Sequence, residues 1–399
     1  MPIFTPSARL AFRVARPTAR QALRARKHNL DLGLPFIPTC PTPTCECSDV
    51  PAGLDIEREQ DLNGTVAPYQ QHLLIPTGQS DWKSKIEDEG NTAAWGSLIA
   101  NVKSLLGPKG EFHDPYHNVV VSTSSFVPVT TSETGVYGVL FPSFQLVTEI
   151  SSGKPELESF VRSFLLPPTL HSGHDKLPAA QRGSQTRNSE AAVARAWNGR
   201  IRPVNVPTIL ICSHQSRDSR CGVLGPLLHA EFSSYLNKHH TLRMTPDQPD
   251  IYDNESGEVK SFASHPQFQT DAVFSPKSEH YPVNVGMISH VGGHKWAGNV
   301  IVYIPPDYCI SPVLQDRHSP KSKDKLGEHT SAAVIHDTDE LPVEEFTANR
   351  SPLAGKGIWY GRVEPRHVEG IVEQTIGHGK IIRELFRGGI NPDGSMIRI

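Results

Sequence analysis

No run of about 18 apolar residues occurs anywhere in the 399-residue chain, which leaves no candidate for a membrane-spanning helix. Cysteine is scarce: six in so long a chain do not make the disulfide scaffold of a small secreted domain. Apolar residues reach only 37% while prolines number 34, a balance that describes a globular protein with long loops rather than one compact domain. No paired-carboxylate motif of the kind used in glycoside hydrolysis stands out. Acidic residues are missing altogether from Met1 to Lys27, where six Arg and one Lys give +7, so the net −3 of the chain leaves −10 for the rest.

That basic start has a pattern. Arg9, Arg13, Arg16, Arg20 and Arg24 recur three or four residues apart, and a helix would set them opposite Leu10, Phe12, Val14 and Leu23, with Pro17 dividing it into two short turns. It looks like a mitochondrial presequence and lacks the apolar core of a secretory signal. A nucleic-acid-binding arm would need a basic body behind it, which a −10 remainder does not offer. Residues 1–39 are therefore read as presequence and disordered lead, with a mitochondrial address in the matrix or the intermembrane space.

An α/β chain follows. Residues 40–167 read as an amino-terminal α/β domain, with strands expected at 72–78, 118–122 and 136–141, a possible helix at 81–90 and a helix or strand near 159–166. Residues 168–200 are polar and read as a linker. A second unit, 201–390, opens with the apolar run VPTILICSH and a helix carrying Leu224, Leu227, Leu228, Phe232 and Tyr235, with Pro226 expected in its first turn. Strands are expected at 258–262, 283–288, 300–304 and 357–363. Residues 307–352 look like a flexible insertion, and a helix through Val368, Ile371, Val372 and Ile376 stops at Gly377. The order strand, helix, strand, two strands, helix is that of a thioredoxin-like unit. HLLIPTGQSDWKSKI shares its outline with TILICSHQSRDSRCG, so the first unit reads as a degenerate repeat of the second.

Two motifs carry chemistry. Cys212 and Cys221 flank a loop of eight residues between a strand end and a helix start, and His290 and His294 sit with three residues between them in SHVGGHKWAGN. Two thiolates and two imidazoles make a four-ligand set, and the loop is longer than the two to four residues usual in a zinc knuckle. Singly, Cys212 after Ile209–Ile211 would be a buried small hydrophobe and the two His ordinary loop residues. Cys40, Cys45 and Cys47 offer a thiol redox or partner-contact role, or none.

The stretch 212–222, the segment 290–299, GIWYGRVEPRHVEGIV, and the amino-terminal CPTPTCECSDVP with LLIPTGQSDW resemble the sucrase/ferredoxin-like family in its altered-inheritance-of-mitochondria branch, over most of residues 40–390. The resemblance implies a thioredoxin-like ferredoxin domain holding a [2Fe-2S] cluster, with Cys212 and Cys221 on one iron and His290 and His294 where related ferredoxins have Cys-x-x-x-Cys. Each neutral His replacing a thiolate removes one negative charge, so the oxidised centre would be neutral rather than −2 and easier to reduce, as in Rieske centres. The expected function is one-electron transfer or redox sensing with a protein redox partner, without transformation of a small substrate and without nucleic acid. A thiol-disulfide protein using Cys212 and Cys221, or a structural zinc module, are the alternatives.

Overall fold

A computed structural model of the chain describes residues 33–90, 93–128, 135–239, 242–244, 268, 281–310 and 350–399. The presequence at 1–32, the strand expected at 258–262 and residues 311–349 of the insertion lie outside them.

The described chain is a mixed α/β protein built on one twelve-stranded sheet. Its first strand, β1 (Phe36–Ile37), stands apart from that sheet and pairs in parallel with β12 (Ile381–Ile382). The first half of the large sheet comprises β2 (Gln71–Pro76), β3 (Val119–Ser124), β4 (Val136–Phe141), β5 (Gln145–Ile150) and β6 (Ile201–Pro203). Helix α1 (Ala94–Leu106) crosses from β2 to β3. After β5 comes α2 (Lys154–Phe160), which continues in wide π-type turns to Leu165. Two short helices, α3 (Ala179–Gln185) and α4 (Glu190–Ala196), occupy the expected linker, and Trp197 at its end is buried against Phe160 and Phe164. That segment is a polar surface layer of the first half, anchored by one indole.

The second half repeats the course. Strand β7 (Thr208–Cys212) leads into α5 (Ser219–Lys238); then come β8 (Leu242–Met244), β9 (Tyr281–Ile288), β10 (Val300–Tyr303) and β11 (Gly357–Tyr360). Helix α6 (Val368–Gly370, widened through Ile371–Gly377) follows, with β12 and the closing hairpin β13 (Phe386–Ile390) and β14 (Met396–Ile397). Setting aside the short β8, which adds to β9, in both halves the first strand pairs in parallel with the strand beyond the helix and antiparallel with the next, giving the orders β3-β2-β4-β5 and β9-β7-β10-β11.

The halves meet where β3 and β9 pair antiparallel at Ser124 and Ile288, which hold equivalent places in their own units opposite Pro76 and Cys212. The bonds around that point come in matching sets. Ser125 N–H donates to the Met287 carbonyl and Ser289 N–H to the Thr123 carbonyl, while Met287 N–H reaches Ser125 Oγ and Thr123 N–H reaches Ser289 Oγ. An internal two-fold is written into the backbone.

Strand alternation distributes the core. Ile209 and Ile211 face α5 and α6, Leu73 and Ile75 face α1 and α2, and Leu210 and Leu74 turn the other way into an apolar layer shared by both halves. Within that layer runs a buried polar chain. Trp359 Nε1–H donates to Tyr69 Oη (2.7 Å), Tyr69 and Tyr303 hydroxyls meet at 3.2 Å, and Tyr303 reaches His72 Nδ1 at 2.9 Å, whose Nε2 bonds Ser122 Oγ at 2.5 Å. Every member is satisfied, so the chain stitches the halves without the cost of an orphaned polar group.

Several expectations are corrected. The lead does not remain unstructured to residue 39, because β1 has a strand partner in β12. Residues 40–66 pack on the second half rather than joining the first: Cys40 N–H donates to Glu384, Thr44 to Glu369 and Ser48 to Glu231, and Ile56 enters the second half's core. The expected helix at 81–90 is only a 3₁₀ turn at Ile86–Glu89. Asp218 caps α5 and starts it two turns ahead of Pro226, which lies inside the helix. At the base of the insertion, Cys309 and Arg350 form a β-bridge and Tyr308, Ile310 and Ser351 are buried, so its ends are structured.

Candidate metal centre

The run Thr208–Cys212 is buried along its length, and its last residue is held by Cys212 N–H donating to the Asn299 carbonyl at 2.9 Å. The chain then turns so that Asp218, accepting from Arg220 N–H at 3.0 Å, caps α5 and places Cys221 in the first turn. Gly225 lets the helix sit against this loop: a Cβ there would lie 2.5 Å from the Ser213 backbone. From the other side β9 ends at Ile288 and delivers His290, whose N–H donates to His214 Nδ1 at 3.0 Å.

These elements bring together Cys212, Cys221 and His290. One ligand atom from each lies within 4.8 Å of the others, and Cys212 Sγ stands 4.0 Å from His290 Nδ1. Both sulfurs are out of water, with Cys212 1% and Cys221 0% exposed, while His290 is half-buried. His294 begins a 3₁₀ turn on the exposed rim, its ring centroid 5.3 Å from that of His290, and stays outside the three-ligand group. Among the described residues no second group of this kind occurs; Cys40, Cys45 and Cys47 do not form one.

The pair of cysteines shares its charge unequally. A hydrogen bond from Cys221, with His290 adding to it, holds the Cys212 thiol far below its ordinary range. The same bond and burial push Cys221 well above it. The two buried sulfurs therefore titrate as one pair, and metal binding, which needs both as thiolates, would release the protons they hold.

Two residues without a signal in the motifs shape the site. His214 is buried. Its Nε2–H donates to the carbonyls of Trp82 (2.9 Å) and Lys83 (3.0 Å) in the first half while Nδ1 accepts from His290, so it ties a first-half loop to a ligand-bearing one. Arg387 on β13 is 2% exposed. Its guanidinium donates to Asn299 Oδ1 (2.6 Å), the Gly292 carbonyl (3.2 Å) and the Thr65 carbonyl (3.1 Å), and lies 4.9 Å over the Trp296 ring. Burial lowers it to about 10 even with the two cysteines pulling upward. It remains a cation at neutral pH, and among the described residues it has no carboxylate partner; the two cysteines are the acidic groups whose field it feels. Lys295 and Trp296 are a surface charge and a packing anchor, the indole donating to Glu57 Oε2 at 3.1 Å.

A cavity of about 270 Å³, bordered by Lys85, Glu87, Lys103, Arg217 and His290, opens beside the imidazole between the halves. Among its described residues the first half forms no such ligand group. Pro76 stands at the strand end where the second half has Cys212, and Phe126 stands two residues past Ser124 as His290 does past Ile288.

A protein named Altered inheritance of mitochondria protein 32 from Debaryomyces hansenii is 27% identical over 368 residues, 89% of this chain and 96% of that protein. The one so named from Meyerozyma guilliermondii is 26% identical over 371 residues, with the same two shares. Actin patches distal protein 1 of Saccharomyces cerevisiae is 24% identical over 274 residues, 66% of this chain and 70% of its own length. No solved structure matches the chain significantly. A family model described as sucrase/ferredoxin-like matches residues 62–388, a span that takes in both halves, Cys212, Cys221, the His pair and Arg387, and the chain accordingly belongs to the sucrase/ferredoxin-like family.

Proposed function

We propose that the chain is a mitochondrial [2Fe-2S] protein of electron transfer or redox sensing, with Cys212, Cys221, His290 and His294 holding the cluster and each half built as a thioredoxin-like unit. The observation that carries this is the convergence of two buried sulfurs and His290 beside a buried cation. The donor set fits: soft sulfur and imidazole ligands suit an iron–sulfur centre. When bound, such a cluster accepts and returns one electron. The chain's own residues do the rest. Cys212 supplies a ready thiolate, and Arg387 stabilises negative charge in a site from which water is largely excluded. His214 fixes the backbone of His290, and exposed His294 gives the centre an edge toward a protein partner and toward protons. The names of the relatives and the basic stripe before residue 28 support the mitochondrial address.

The three-ligand spacing favours a second reading. A single zinc ion held by Cys212, Cys221 and His290 would leave His294 free, since ligands of one tetrahedral ion stand roughly 3.5–4 Å apart. Protein purified without oxygen decides between them. A cluster gives visible absorption, an EPR signal on reduction and iron with acid-labile sulfide, all lost in Cys212→Ser and Cys221→Ser because a hydroxyl is a poor soft-metal ligand. A colourless sample with one zinc per chain overturns the cluster reading. A colourless, metal-free sample with a Cys212–Cys221 disulfide would support the thiol-disulfide alternative.

A further inference from the structure

A second cavity, of about 390 Å³, lies at the other end of β2 from the loop that His214 holds. It opens at Gln71, five residues or about 17 Å of strand from Pro76, and the turn Pro392–Gly394 of the second half closes one side. Two of its polar atoms are buried without a hydrogen-bond partner, and a third side chain is only partly engaged. Gln71 is 7% exposed and its Oε1 is buried with no hydrogen bond. His117 Nε2 is likewise buried and unpaired, the ring lying against the backbone of Leu165. Arg187 spends only its Nε–H, on the Leu166 carbonyl at 2.8 Å, and among the described residues it pairs with no carboxylate. The carboxylates on the cavity wall are engaged by their own neighbours. Asp114 Oδ1 meets His174 Nε2 at 2.9 Å and Tyr116 N–H at 2.8 Å, and Asp393 accepts from Ser395 N–H and Oγ.

From this convergence we infer a ligand site for a small anion that also carries hydroxyl protons: its negative oxygens on the Arg187 fork, its O–H groups donated to Gln71 Oε1 and His117 Nε2. Buried polar groups in native proteins are rarely left unmatched, and a charged fork with two bare acceptors asks for a ligand with both kinds of atom. The volume is that of a small-metabolite pocket. Burial, with Arg187 adding to it, pushes His117 down to about 4, so the ring is neutral at pH 7 and Nε2 is available as an acceptor. The inference is independent of the metal centre.

Inorganic phosphate and L-malate represent the phosphoryl and carboxylate sources, and sulfate is an anion of the same shape as phosphate without a proton to donate at pH 7. Titration of the full chain by calorimetry and thermal shift at pH 7 should show that one of the first two binds at least tenfold more tightly than sulfate. Arg187→Gln should lose that binding, and Gln71→Leu and His117→Phe should weaken it severalfold, with the metal content unchanged in each. Should a variant fail to fold, Arg187→Lys, which keeps the charge and loses the fork, serves in its place and should weaken binding tenfold. Equal affinity for sulfate, no binding by either probe, or binding indifferent to Arg187 would overturn the proposal.

Discussion

Arg387 shows how a single residue is stabilised by surroundings that no motif announces. It sits in FRGGI, between a buried Phe and two glycines, and only the fold brings Thr65, Gly292 and Asn299 around its guanidinium. Arg387→Gln should strip donors from two buried carbonyls at about 1–3 kcal/mol each. A fall of roughly 3 kcal/mol in urea-unfolding stability checks this, and an unchanged midpoint would contradict it. Histidine protonation supplies a second test at this scale. Burial lowers His72 to about 3 and His117 and His367 to about 4, whereas the same rings titrate near 6.5 in an unfolded chain. The unfolded state therefore binds more protons, so the stability these groups contribute is complete above pH 6.5 and drains as pH falls toward 4. Urea midpoints measured from pH 7 to pH 5, above the range where carboxylates titrate, should drop steadily, and the slope should shrink in His367→Gln.

Among elements, the loop between β9 and β10 is the most exacting. Gly292 and Gly293 have φ of +91° and +83°, and a Cβ on Gly293 would lie 2.4 Å from the Arg387 guanidinium. Gly293→Ala should combine left-handed strain of about 1–2 kcal/mol with displacement of that cation. Metal content per chain should fall by more than half. Exchanging His290 and His294 together for Cys is the complementary change: a cluster should survive, its midpoint potential should fall as two negative charges are added, and its pH dependence should weaken. Unaltered potential and slope would make the histidines bystanders. Legibility in the sequence varied by element. Strands β2, β4 and β7 each carry a short apolar run, and Cys212 and Cys221 at a strand end and helix start were readable from their setting. Helix α1 was not, because AWGSLIANVKSLL contains Gly96 and has no side-chain cap, while the charged 81–90 stretch beside it mimics a helix. That stretch is instead engaged by tertiary contacts, Trp82 and Lys83 giving their carbonyls to His214.

At the scale of the molecule, two units of one topology differ in what they hold: one carries the cysteine and histidine group of the candidate site, and the other supplies Trp82, Lys83 and a wall of the cavity beside it. Two deletions probe this arrangement. Removing residues 313–347 with a short linker should leave the visible spectrum intact, since Cys309 and Arg350 already close the base of that excursion; loss of colour would show that the segment is needed at the centre. Removing residues 1–30 should abolish uptake by isolated mitochondria without changing the metal content of the purified protein.

The pairing of β1 with β12 carries a consequence for how the chain comes into being. Phe36–Ile37 has its partner at Ile381–Ile382, Asn63 bonds Ile399, and Gly64 N–H bonds the Arg387 carbonyl. A ribosome releasing this polypeptide, or a membrane pore feeding it through, presents Phe36, Ile37, Asn63 and Gly64 well before these partners. They must wait, solvated and unsatisfied, until more than 300 later residues have followed. Closure therefore rests on contacts of high contact order and is slow by nature. Arg387 arrives with the stretch that carries those partners, so the candidate site gains its buried cation only after that stretch has emerged.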